Sequence, residues 1–166
     1  MRTSPSLYAF VLGVLLCSGL VLGPLARASS PPIYGVSQGT LEVEVIDVGQ
    51  SGPTPGDVWV ANGRFVAEDG TPVDVNALSV LTDPRSDFSG GLSVNVSIIV
   101  LDFGNSNTLT AAGRTMVDLT KARNDTEVEQ VRAVIGGTGI FIGANGEVVS
   151  QRQADGTTSF AITFVD

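Results

Sequence analysis

From Thr40 onward, apolar and polar residues alternate in short runs, and clusters of Gly, Pro, Asn and Asp separate the runs. Leu41, Val43 and Val45 alternate with Glu42 and Glu44, the period-two pattern of a half-buried strand, and the same face continues to Asp47. Gln50 to Gly56 is turn-rich. Asp57 to Ala67 then forms a second strand carrying Trp59 and Phe65, and Glu68 to Pro72 closes that hairpin. Val73 to Leu81 is a weaker third strand, followed by a loop over Thr82 to Gly91. Leu92 to Phe103 is a strong fourth strand with Val94, Val96, Ile98 and Val100 on one face and Ile99, Leu101 and Phe103 on the other, so its second half is apolar on both sides. Gly104 to Asn107 turns the chain into Thr108 to Val117, and Asp118 to Asp125 is a polar connection. Glu127 to Ile135 and Ile142 to Gln151 flank a glycine-rich corner. The turn Asp155-Gly156 leads into a last strand, Thr158 to Val165, with Phe160, Ile162 and Phe164 on one side.

This spacing of short strands and turns predicts an all-β domain, an antiparallel barrel or sandwich. Polar residues on one face of some strands and apolar residues on both faces of others favour a barrel with a lined interior. Its partly covered exterior in turn implies a homo-oligomer. The corner, Ala133 to Gly146, reads A-V-I-G-G-T-G-I-F-I-G-A-N-G, and its glycines Gly136, Gly137, Gly139, Gly143 and Gly146 mark a backbone that bends or approaches another segment closely. It is not a phosphate loop, because the chain's single lysine, Lys121, does not follow these glycines.

The N-terminal part has a different character. An apolar run from Leu7 to Leu25 follows Arg2, and Ala26-Arg27-Ala28 offers a signal-peptidase site, so residues 1–28 read as a signal peptide. Residues 29–39, rich in Ser, Pro and Gly, read as a flexible leader, and residues 40–166 as the domain. The expected location is secreted or periplasmic, with no membrane association after cleavage. Loss of Arg2 and Arg27 makes the net charge two units more negative than the −8 of the full chain, which argues against nucleic acid as a partner. The one cysteine, Cys17, leaves with the signal, so the domain depends on its hydrophobic core without a disulfide. The chain has no histidine, which excludes Ser-His-Asp and Cys-His catalysis and the usual zinc sites; no metal or cofactor is expected.

The corner motif G-G-T-G-I-F-x-G-A-x-G resembles the glycine-rich hairpin of the allene oxide cyclase and dirigent-protein superfamily. Gly56-Asp57-Val58, Asp69-Gly70 with Pro72-Val73, and Ala77-Leu78-Ser79-Val80 resemble further segments of that family, so the likeness extends from about Leu41 to Phe164. The resemblance implies a closed antiparallel barrel of eight strands with an apolar cavity, usually trimeric. It also implies candidate site residues. Asp47 matches the polar position near the end of the cyclases' first strand, Pro53 or Pro55 the proline after it, and Ser79 the cysteine of their third strand. Dirigent proteins carry an acid and an arginine in the hairpin and a tyrosine on the third strand; this chain has Ile140, Asn145 and Ser79 there.

Two functions follow as expectations. One is an isomerase-type cyclase in which the barrel folds a hydrophobic precursor for ring closure, Asp47 and Ser79 serve as the catalytic polar pair, and Trp59, Pro53, Pro55 and Phe65 contact the substrate. The other is a lipocalin-like carrier, or a dirigent-like guide with no redox chemistry of its own. Asp47 reads equally as a cavity acid or a solvated rim acid. Trp59 and Phe65 read as ligand contacts or as core, and Arg114 as an anion partner or an outward arginine. Asn95-Val96-Ser97 and Asn124-Asp125-Thr126 match the glycosylation pattern.

Overall fold

The computed structural model describes residues 32–84, 92–117 and 128–165. The segment read as a signal peptide, the connection from Asp118 to Asp125 and the Asn124 glycosylation pattern lie outside them. The described residues form nine strands: β1 (Ile33–Ser37), β2 (Glu42–Ile46), β3 (Val58–Ala67), β4 (Pro72–Asp83), β5 (Ser93–Asp102), β6 (Thr108–Val117), β7 (Gln130–Gly137), β8 (Asn145–Arg152) and β9 (Thr158–Val165). From β2 to β9 each strand pairs antiparallel with the next, and β1 pairs with both β9 and β3, which closes the sheet. β1 lies beside Phe65 and Ala67 of β3 while β2 lies beside Val58 and Asn62, so together they fill one place in a closed barrel of eight positions.

β1 corrects the sequence reading, which put Ile33 to Ser37 in a loose leader because Pro31, Pro32 and Gly35 surround it. Gly35 faces inward, and a Cβ there would collide with the Phe65 ring, so the residue that looked like a strand breaker is the one that lets this strand cross the core. The Ser37 hydroxyl accepts the Thr158 N–H at 2.6 Å and fastens the strand to β9.

The barrel interior is graded along its axis. At the end where β7 runs into β8, the 3₁₀ turn Gly139–Phe141 carries the Phe141 ring inward, 4.8 Å from Phe103 and 5.8 Å from Phe164. Phe65 and Phe160 stack at 4.8 Å in the same core, which also contains Leu101, Leu109, Val148 and Ile162. Aromatic packing therefore fills this end. The five corner glycines fall at the end of β7, in the turn and loop, and at the start of β8. At the opposite end the interior becomes polar. On the outside, Leu78 and Ile98 are register partners and Val96 lies nearby; the three are 43%, 43% and 54% exposed. The second half of β5 is thus apolar on both faces, as its sequence suggested.

Candidate functional site

One inward layer runs through five strands in direct register: Val45 on β2, Trp59 on β3, Ser79 on β4, Ser97 on β5 and Gly113 on β6. Strand alternation puts all five on the same face, because successive side chains point to opposite sides. The layer continues onto β7 through Arg132. A Cβ on Gly113 would lie 2.9 Å from the Val131 carbonyl oxygen and 3.1 Å from Arg132 Cα, so the bare glycine is what lets β7 and its arginine approach. Arg132 Nε donates to Ser97 Oγ at 2.8 Å and Nη1 donates to Ser150 Oγ on β8 at 3.0 Å. One layer nearer the polar end, Leu81, Asn95 and Thr115 are neighbours in register. Asn95 is fully buried with neither its amide nitrogen nor its oxygen partnered, and the buried Thr115 hydroxyl is also unpartnered. Toward the closed end the next layer turns small and apolar with Ala61, Ala77, Ile99 and Ala111.

Arg132 is only 8% exposed, and burial pushes its pKa down to about 10. No ion pair among the described residues involves it; the Arg64–Asp74 pair lies on the exposed outer face. Removing a guanidinium from water without a counter-ion is costly, and interiors that keep one provide hydrogen bonds in its place. Ser97 and Ser150 do so here.

A cavity of about 140 Å³ opens beside this cluster. Leu41, Val43, Ala61, Val117 and Val128 form its apolar wall, and Gln130, Ser150, Arg152 and Thr158 its polar one. Ser150 both lines the cavity and holds Arg132, so the guanidinium lies one hydrogen bond from the opening.

Of the residues singled out from sequence, Trp59 and Ser79 are register partners in the inward layer. Phe65 is completely buried in the aromatic core and offers no surface to a ligand. Asp47 lies just past the end of β2 and is exposed, so its carboxyl belongs to the rim and not to an apolar interior. Pro53 and Pro55 are exposed on the rim loop between β2 and β3. Asp57 organises that loop. Its carboxylate accepts the N–H groups of Thr54 at 2.8 Å and Val48 at 2.9 Å and the Thr54 hydroxyl at 3.0 Å. These bonds, the Thr54 N–H foremost, hold its pKa below the ordinary carboxylate value. Arg114 points outward and is exposed. The buried Asn95 cannot accept a glycan.

Arg132, Asn95 and Thr115 were not singled out from sequence. A signal was present, since Gln130, Arg132 and Val134 alternate with Val131, Ala133 and Ile135. The more apolar set turns outward, however, with Val131 43% and Ile135 62% exposed.

No protein-family model and no curated protein matches the sequence. Solved structures do match in fold. A pyocyanin demethylase superposes with a TM-score of 0.59 at 17% identity, over 80% of this chain and 98% of that one. The Diels–Alderase AbmU from Streptomyces koyangensis superposes with a TM-score of 0.60 at 17% identity, over 84% of this chain and 63% of that one. A pterocarpan synthase dirigent protein gives 0.55 at 16% identity, over 96% of this chain and 98% of that one. The chain therefore shares the closed barrel fold of these solved structures, a dirigent protein among them, in keeping with the resemblance carried by its glycine corner.

Proposed function

We propose that this protein is a secreted, oligomeric barrel that takes a largely hydrophobic small molecule into its open end and steers its cyclisation or isomerisation by shape. The observation that carries this reading is the cavity itself, with an apolar wall of Leu41, Val43, Ala61, Val117 and Val128 set against a polar belt and no carboxylate among its described lining residues. Such a lining suits a reaction in which no atoms are gained or lost and the protein mainly fixes one reactive conformer. Each buried methylene contributes roughly 0.8 kcal/mol to holding the precursor, and alignment of the reacting ends lowers the barrier without a strong acid or base. The Diels–Alderase and the pterocarpan synthase dirigent protein support the reading as proteins of the same fold named for ring-forming chemistry.

Trp59 is the chain's single tryptophan and lies in the inward layer, so its emission is a built-in reporter. Titration with the neutral probe N-phenyl-1-naphthylamine is expected to quench Trp59 with saturation. Incubation with a linear precursor carrying a conjugated diene and a tethered alkene is expected to shift the ratio of ring stereoisomers away from that formed in buffer. A saturable probe with an unshifted ratio would make the barrel a carrier; no saturable binding would overturn the reading altogether.

A further inference from the structure

We infer that the ligand carries an anionic oxygen, a carboxylate or an enolate, and that Arg132 is the residue that receives it. This rests on the reading of the barrel as a small-molecule site and narrows it to amphipathic monoanions.

Three observations lead there. A guanidinium has five N–H donors, and the structure gives two of Arg132's to Ser97 and Ser150 and none to a carboxylate. A buried arginine held by neutral hydroxyls keeps its full charge and part of its donor fork available, the geometry that binds a carboxylate in two parallel bonds. Asn95 and Thr115 supply the second, independent signal. Both are more than nine-tenths buried, they are cross-strand partners, and their polar atoms have no protein partner. Each lies two residues toward the polar end from a residue that touches Arg132, Asn95 from Ser97 on β5 and Thr115 from Gly113 on β6, which is about 7 Å along a strand. Buried polar groups are rarely left unpaired, so a donor amide and a hydroxyl directed into the interior beside a cation describe a site awaiting an acceptor.

The third observation is charge sorting. The chain carries 17 acidic and 9 basic residues, yet among the described residues the charged groups associated with the cavity are Arg152 in its wall and Arg132 behind Ser150. The buried carboxylate of Asp57 is already engaged by the Thr54 and Val48 N–H groups, so the described charge beside the cavity is cationic and favours anions by local field and not by net attraction. The oxygen head would take its bonds from Arg132, with the Asn95 amide and the Thr115 hydroxyl as flanking donors, while the apolar body lies along Leu41, Val43, Ala61 and Val117.

A matched pair of probes, octanoate and 1-octanol, separates this inference from the reading beneath it. Both are titrated against the full protein by calorimetry and by Trp59 emission. The expected result is octanoate binding at least about tenfold tighter than 1-octanol, the scale of one charge-assisted hydrogen bond. Arg132→Met should bring that ratio to about one while 1-octanol affinity persists, an outcome that a purely structural arginine would not give. Asn95→Asp, which places a competing carboxylate one layer from Arg132, should abolish the octanoate preference in a chain that keeps Arg132. Equal affinity of the two probes in the unmodified protein would overturn the anion site and leave the binding barrel standing. Binding of neither would overturn both.

Discussion

Gly137 and Gly143 lie six positions apart in the same corner, but their glycines answer different constraints, and replacing each with alanine separates those constraints. At Gly137 the backbone is not left-handed; the constraint is space. An added Cβ would lie 2.6 Å from the Thr108 carbonyl oxygen and 2.9 Å from the Phe141 carbonyl oxygen, where ordinary contact begins at 3.4 Å. The Thr108 oxygen is held by the Thr138 N–H at 2.8 Å, and Phe141 is wedged between Phe103 and Phe164, so neither can retreat freely. Loss of that hydrogen bond is worth about 1 kcal/mol and overpacking at Phe141 about 1–3 kcal/mol, giving Gly137→Ala a cost of about 2–4 kcal/mol. For a domain of this size that lowers the melting temperature by roughly 10 °C. Gly143 has φ +75° with nothing within 4 Å of a Cβ. Gly143→Ala meets only the left-handed penalty of about 1–2 kcal/mol, partly offset by about 0.4–1 kcal/mol from a less flexible unfolded chain. Urea unfolding of the two variants, monitored by Trp59, decides the matter. Equal costs, or a larger cost at Gly143, would refute the argument that close approach and not φ shapes the end of β7.

Other outcomes are specific enough to measure. Asp57 has a folded pKa held below the ordinary carboxylate value, so its contribution to stability is present above that ordinary value and is lost as the pH falls through the folded one; the melting-temperature gap between the unmodified protein and Asp57→Ala should close in that acidic window. A gap that stays constant down to pH 2 would remove the carboxylate from the rim. Asp47→Asn should leave both probe binding and ring-isomer ratio unchanged, since the side chain is solvated outside the cavity; a loss of turnover at retained binding would restore it to the mechanism. Leu78, Val96 and Ile98 should be covered in an oligomer, with a trimer expected from the family resemblance. Light scattering should report the trimer, and Ile98→Glu should shift it to monomer; an unmodified protein that is already monomeric would count against the interface.

The strands from β2 to β9 were legible in sequence because each combines alternation with turn residues at its ends, and the glycine corner was legible because few other residues permit its backbone. The rest was hidden by identifiable physics. β1 was missed since its glycine, a poor strand residue by propensity, is required by the Phe65 ring, a contact more than 25 residues away along the chain. Asp47 follows the apolar face of β2 by parity, but β2 ends at Ile46 and parity carries no information beyond the strand.

Arg132 is the instructive case, because local rules orient β7 wrongly. Val131, Ala133 and Ile135 look like the buried face and Gln130 and Arg132 like the solvent face, yet the strand sits with arginine inward. Three features together outweigh the local pattern. Gly113 opens the wall beside it, Ser97 and Ser150 on two other strands provide acceptors, and Val134 on the same inward face joins the core. Gly113, Ser97 and Ser150 are all distant from Arg132 in sequence, so only the assembled register discloses them. The outward turn of Val131 and Ile135 is the corollary, and it adds two apolar side chains to the surface that an oligomer would cover. The orientation of β7 thus follows what its neighbouring strands present to it and not its own alternation.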